Sequence, residues 1–273
     1  MMTIKFYGGQ KNMTLIERDS LVISGILEKG QNNITDIDKI QALQILQMNY
    51  HDSGKIEGCF SCDSSCHGCE FCQNMREKGK NNPLLICNYC YDNEQENRWK
   101  SVKKRHELNL LILSSIEFSV DLFKTHPVLG ILRENSSGDV ENLVHAKNLI
   151  YIAYANPSTC VGLWSKNVKV VDKAFSILGK PNNMVFVQSS PIIGHPAKRS
   201  QYADYLFTVY ATEEDLQNAL ASGAMECNGK KCKECGYKCY FRKWPIGSNI
   251  AELLRLKNKK AMQAIENALN KGM

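Results

Sequence analysis

Nine of the twelve cysteines fall into two short runs, CFSCDSSCHGCEFC at 59–72 and CNGKKCKECGYKC at 227–239. Thiols spaced two to four residues apart are either disulfide partners or ligands, and the redox compartment decides which. Residues 1–28 show no basic stretch leading into an unbroken apolar segment with a small-residue cleavage site. There is also no run of about 18 apolar residues of the kind that spans a bilayer. The expectation is a cytoplasmic chain with no membrane contact, whose thiols stay reduced. Clustered, reduced cysteines point to zinc or to iron and sulfide, because thiolates are soft ligands and a short turn aims two of them at one centre.

The C-terminal run, Cys227-x4-Cys232-x2-Cys235-x3-Cys239, has enough thiols to close an all-thiolate zinc site or to ligate a complete [4Fe-4S] cluster, and its spacing admits both. Gly229 and Gly236 permit the tight turns such a centre needs. Lysines from Lys230 to Lys243, with Arg242, offset its negative charge. Cys160, alone at the start of an apolar run, reads as a small core residue. The six histidines are scattered; His195 before Pro196 and His67 inside the cysteine block are candidate ligands, but a single histidine more often is not one.

The elements that must position these thiols follow from periodicity and punctuation. MTIKFYGG and LIERDSLVISGI read as short strands or turns, and ITDIDKIQALQILQMNY as a helix, or as a helix start followed by a strand. Residues 93–115 place acids early and bases late, which suits a helix. From there strands and helices alternate: VLGILREN (128–135), a helix over 140–157 stopped at Asn156-Pro157, CVGLWSKN (160–167), and a helix ended by Gly179 and Pro181. NMVFVQSSP (183–191), YLFTVYA (205–211) and a Thr212-capped helix over 212–223 continue the pattern. The stretch from Ile250 onward reads as one amphipathic helix. Alternation of this kind calls for an α/β fold with a parallel sheet and right-handed crossovers. In such sheets chemistry collects at the C-terminal strand ends. Here those ends are Glu134–Asp139, Ser165–Asn167, Gln188–Ser190 and Tyr210.

Cys62, Cys66 and Cys69, spaced C-x3-C-x2-C, resemble the cluster motif of radical S-adenosylmethionine (radical SAM) enzymes. In that family three thiolates hold three irons of a [4Fe-4S] cluster, and the fourth iron chelates the amino acid end of SAM. Gly68 stands where that family has an aromatic residue. A second triplet, Cys72, Cys87 and Cys90, ends in CNYCY just before the long helix and fits the family better by position than by spacing. The ordered motifs CNYCY, RENSSGD, GLWSKN, NMVFVQSSP and LFTVY, from Cys87 to Tyr210, are similar to the gene product 88-like family of phage and mobile elements. These resemblances imply a partial (β/α) barrel of mostly parallel strands, with Cys-rich metal- or cluster-binding segments at both ends. They place Ser137, Gly138 and Asp139 against the SAM amino group, and Ser165 and Lys166 at the next strand end beside Trp164. The implied organisation is an N-terminal segment (1–58), a Cys-rich block with the partial barrel (59–223), and a Cys-rich C-terminal segment with a terminal helix (224–273).

Two functions from different classes fit. One is an iron–sulfur enzyme that uses SAM, with the C-terminal cysteines holding an auxiliary cluster or a structural zinc. The other is a non-catalytic zinc-binding module whose basic surface meets nucleic acid. A net charge of +6, with basic stretches at 98–107, 230–243 and 255–260, admits a polyanionic partner but is equally the mark of solvated helix faces. No residue pattern names a substrate or an oligomeric state.

Overall fold

The computed structural model describes residues 13–227, 231–256 and 258–271. The MTIKFYGG segment, Gly229 and Lys230 lie outside them. The first described element, α1 (Leu15–Glu28), is a helix where strands or turns were expected. Thr14 and Glu17 form a reciprocal capping box that satisfies the first free N–H groups, and Ile23 and Ile26 face the core. The Thr-x-x-Glu spacing outweighs the β-branched residues that follow it. A second capping box, Thr35 with Asp38, starts α2 (Asp36–Ile45).

Eight strands form one sheet in the order β1-β2-β3-β4-β5-β6-β8-β7. The short β1 (Asn49–His51) runs antiparallel to β2 (Cys59–Cys62). From β2 the sheet is parallel and follows chain order through β3 (Ile131–Glu134), β4 (Cys160–Ser165), β5 (Met184–Ser189) and β6 (Tyr205–Tyr210). The expected strands are therefore parallel neighbours. β8 (Asn249–Leu253) then pairs with β6, and the two-residue β7 (Met225–Glu226) lies outside β8. Strands from all three expected segments thus enter one sheet. Among the described residues β1 and β7 end the order and do not pair with each other.

Between the strands lie α3 (Glu70–Lys78), α4 (Tyr91–Arg98), α5 (Lys100–Ser115), α6 (Val120–Phe123), α7 (Leu143–Ala155), α8 (Val168–Leu178) and α9 (Glu213–Ala221), and α10 (Lys259–Asn270) ends the described chain. The helix expected over 93–115 is broken at Trp99, whose backbone leaves the helical region. The stretch from Ile250, expected as one helix, begins as β8 instead. Its Ile250 and Ala251 are buried in register with Phe207 and Thr208, so strand pairing overrides the helical periodicity.

The parallel register sorts side chains onto two faces. Leu132, Val161, Leu163, Met184 and Phe186 join the main core with α1, α2, α5, α7 and α8. The opposite face carries Cys59, Ile131, Gly162, Trp164, Val185, Val187, Tyr205 and Ile250. It is covered not by helices but by the C-terminal cysteine segment, whose Tyr240 is buried against Trp164 with ring centroids 5.1 Å apart. Gly162 makes room for this: a Cβ there would stand 2.6 Å from the Trp164 ring and 2.7 Å from that of Tyr240.

Candidate metal centre

The loop that leaves β2 is fastened before it presents a thiol. Asp63 is buried, and its carboxylate accepts from Ser61 Oγ at 2.6 Å, from Ser137 N at 2.9 Å and from the Ser136 hydroxyl. Ser64 N donates to Ser137 O at 3.1 Å, so the turns after β2 and β3 lie side by side. Their approach fixes Gly138, which has φ +81° and whose Cβ would stand 2.7 Å from the Ser64 carbonyl carbon. His51 Nε2 lies 2.7 Å from Ser61 Oγ. Ser61 gives its proton to Asp63, so it sits between His51 and the acid. A nucleophilic triad needs the imidazole in that middle place, and this array is structural.

Glu96 of α4 organises the next residues. Its fully buried carboxylate accepts from Ser65 Oγ at 3.0 Å, Cys66 N at 3.1 Å, His67 N at 3.2 Å and His106 Nδ1 at 3.1 Å. Burial alone would raise its pKa, but these bonds, His106 first, overcome that and hold it below the usual value. Arg76 of α3 completes the grip by donating to Cys66 O at 2.9 Å. Both backbone polar groups of Cys66 are therefore tied.

Cys87 and Cys90 arrive from a different direction. Ile86 N donates to Pro191 O at 2.9 Å and Ile193 N to Leu84 O at 2.8 Å, pinning residues 84–86 to the loop that follows β5. Cys66 and Cys90 then meet, sulfur to sulfur, at 3.6 Å. With an Asp92 oxygen they form a group of ligand atoms all within 4.8 Å of one another. Cys69 Sγ caps α3 by accepting from Cys72 N at 3.5 Å. One thiol of each expected triplet, Cys66 and Cys90, is thus brought into contact, while Cys69 and Cys72 adjoin each other at the start of α3.

Cys62 stands apart. Its thiol belongs to the helix-side core, where burial pushes it up with Glu134 and Asp63 as its charged neighbours. The C-x3-C-x2-C triplet is therefore not the set that the fold gathers: β2 continues through Cys62 and turns its side chain toward the helices.

As free thiols the gathered groups resist ionisation. Cys66 is pushed up by its bond with Cys72, Cys90 by its contact with Cys66, and Cys87 by burial. The bond with Cys66 pulls Cys72 down, but Cys69 and burial move it further the other way. The counter-charge is Lys166. Burial disfavours its ammonium, yet Asp139 and the thiolates of Cys87, Cys72 and Cys90 more than reverse this, and its pKa is raised.

The other expected site residues are largely occupied by each other. Asp139, fully buried, accepts from Ser165 Oγ at 2.5 Å, from Val140 N at 2.8 Å and from Lys166 N at 3.0 Å, and it pairs with the Lys166 ammonium at 3.8 Å. Gln188 bridges Lys198 O and Ser200 N, and Ser190 holds the His195 carbonyl, so these strand ends serve their own loops. Ser137 differs, because its buried hydroxyl has no hydrogen-bond partner; nor has the Asn135 side-chain N–H2 or the Glu134 carboxyl. Burial raises the Glu134 pKa well above its ordinary value.

The C-terminal cysteines lie on the sheet face opposite the helices. Cys235 Sγ donates to Cys232 O at 3.1 Å, Cys232 and Cys239 pack in one cluster with Cys59, and Cys227 and Cys239 pack beneath β5 and β6 with Tyr205 and Trp244. Among the described residues no three of the C-terminal cysteines bring their sulfurs within 4.8 Å of one another. Cys160 packs as expected, donating to Tyr240 O at 2.8 Å.

An eight-stranded, mostly parallel α/β sheet with buried thiols gathered beside its strand-end loops defines the class. The chain belongs to the family described as Gene product 88, which matches residues 26–239. No curated protein and no solved structure matches it. No described helix is long and apolar enough to cross a membrane.

Proposed function

We propose that Cys66, Cys72 and Cys90, with Cys69 and Cys87 beside them, hold an iron–sulfur cluster in a radical SAM-like enzyme of the partial-barrel type. The observation that carries this reading is the 3.6 Å approach of Cys66 and Cys90, from two segments and with Asp92 beside them, next to the Cys69–Cys72 pair at the start of α3. A site-differentiated [4Fe-4S] cluster takes three of these thiols, and a tetrahedral ion would take four, so the reading rests on their placement and not on their number. The donors fit such a group: Cys66, Cys69, Cys72 and Cys87 are buried and Cys90 partly so, none is linked by a disulfide, and Lys166 and Arg76 supply positive charge beside them. When bound, a cluster with an open iron supplies the electron for reductive cleavage of the SAM sulfonium. This chain's own residues shape the mouth. Glu96 and Arg76 fix the Cys66 loop, Asp139 fixes Lys166, and Ser137 and Asn135 keep buried polar atoms available to a ligand.

One observation favours a second reading, a non-catalytic zinc-binding module that meets nucleic acid. The 3.6 Å between Cys66 and Cys90 sulfurs is close to the ~3.8 Å tetrahedral edge implied by a zinc–thiolate bond of about 2.3 Å. Anaerobic purification with metal, sulfide and absorption analysis separates the two. The first reading expects brown protein with iron and sulfide, and 5′-deoxyadenosine after dithionite and SAM are added. Colourless protein with zinc at the N-terminal thiols, and no 5′-deoxyadenosine above background, overturns it in favour of the second.

A further inference from the structure

The C-terminal cysteine segment contains little regular structure, and Tyr237 and Arg242 adopt left-handed backbone conformations at φ 51° and 49°. Non-glycine residues stay there only when their surroundings impose it. The segment instead docks on the turn between β1 and β2. Cys232 N donates to Lys55 O at 2.7 Å and Tyr237 OH to Glu57 O at 2.7 Å. Glu57 receives Lys231 at 2.7 Å and Lys233 at 3.3 Å, and Lys55 pairs with Glu252 of β8 at 2.6 Å.

This docking brings a thiol from the other cysteine run. Cys59, the first residue of β2, is fully buried in one apolar cluster with Cys232, Cys239, Tyr237 and Tyr240. It points to the face opposite that of Cys62, so the two ends of a four-residue strand deliver thiols to different places. We infer that Cys59 is a ligand of the C-terminal thiol centre, so that a thiophilic ion there binds β2 to the segment that covers it. The motif spacing alone assigns that centre to Cys227, Cys232, Cys235 and Cys239. The fold adds a further thiol to the apolar cluster that holds Cys232 and Cys239. A free thiol has no need of such company, whereas a soft ion gains a ligand already ordered by the sheet. The inference is independent of what the N-terminal thiols hold.

The decisive measurement uses the unmutated full chain reconstituted with cadmium-113, and reads proton–cadmium correlations. A cross-peak from the Cys59 β-protons to the same cadmium that Cys232 binds is the expected result. Cross-peaks from the C-terminal cysteines with none from Cys59 overturn the inference. A mutant cycle gives a second measurement. Cys59→Ser and Cys232→Ser should each release the same one equivalent of metal, and the double variant no more than either. If Cys59→Ser retains the full metal content and stability of the unmutated protein, Cys59 is only a core residue. Cys160→Ser, in the same apolar cluster but bonded to Tyr240 O, serves as the control that should keep its metal.

Discussion

Glu96→Gln tests whether the Cys66 loop is pre-organised by one buried carboxylate. The two oxygens serve four donors: Oε1 takes Cys66 N and His106 Nδ1, and Oε2 takes Ser65 Oγ and His67 N. Glutamine keeps one acceptor oxygen and turns an amide N–H2 toward the other two donors. Two charge-assisted bonds worth about 1.5 to 3 kcal/mol each are lost and the remaining two become neutral, giving a cost of about 3 kcal/mol or more. That lowers the folding constant by roughly a hundredfold. Urea unfolding of both proteins, followed by circular dichroism, reads the difference directly, and metal analysis of the N-terminal centre should show a parallel loss. Glu107→Gln is the control, since that side chain is only half-buried and meets Lys103 only at 3.8 Å; it should change stability by less than about 0.5 kcal/mol. If Glu96→Gln costs under about 1 kcal/mol and keeps its metal, the loop is held by something other than Glu96.

Cys66→Ser and Cys90→Ser should each empty the N-terminal centre, while Cys62→Ser should leave its metal in place, because the Cys62 thiol lies in the helix-side core; equal loss in all three would show that Cys62 belongs to the set. Gly162→Ala should destabilise by about 1 to 3 kcal/mol through overpacking, since its Cβ falls 2.6 Å from the Trp164 ring, and Gly130→Ala is not a fair control because φ there is +83°. Glu134→Gln tests a pH dependence. Its folded pKa is raised above the ordinary 4.5, so between that value and the folded one the native state holds a proton that the unfolded state has released, and native stability falls as pH rises. The glutamine variant should therefore gain stability over the parent as pH rises above 4.5 and match it below, as read by denaturation midpoints at a series of pH values.

The strands and their parallel order were legible because each signal was local and mutually consistent. Met184–Ser189 is a short apolar run bounded by Asn183 and Pro191, Thr212 begins α9, and Gly179 ends α8 with φ +76°. The misread elements are those where a distant partner decides. Asn249–Leu253 has residues at helical spacing, but its place between β6 and β7 makes it a strand. α1 was readable in principle, since Thr14 and Glu17 carry the capping signal.

The candidate centre was legible only as an inventory of thiols. Which of them meet depends on where α4 and the loop after β5 bring Cys87 and Cys90, and no spacing encodes that. Glu96 sits in NEQENR among polar neighbours that look just like it, so nothing local marks it as the residue that holds Cys66. Asp139 was read as an acid in the loop after β3, and its carboxylate is engaged by Ser165 and Lys166 from the neighbouring strand end, a contact made only when the sheet forms.

The position of β8 has a consequence for the order of assembly during synthesis. It lies between β6 and β7, yet it leaves the ribosome after both and after the cysteine segment. Until it emerges, the hydrogen-bonding edge of β6 faces solvent and β7 has no neighbour to pair with. An open edge of this kind invites pairing with another nascent chain. The cysteine segment, which docks on residues 55–57 and on the ion inferred above if that ion is bound, would hold that face of the sheet covered while the edge waits for its last partner. Newly made chains starved of metal should thus aggregate more than mature, metal-stripped ones.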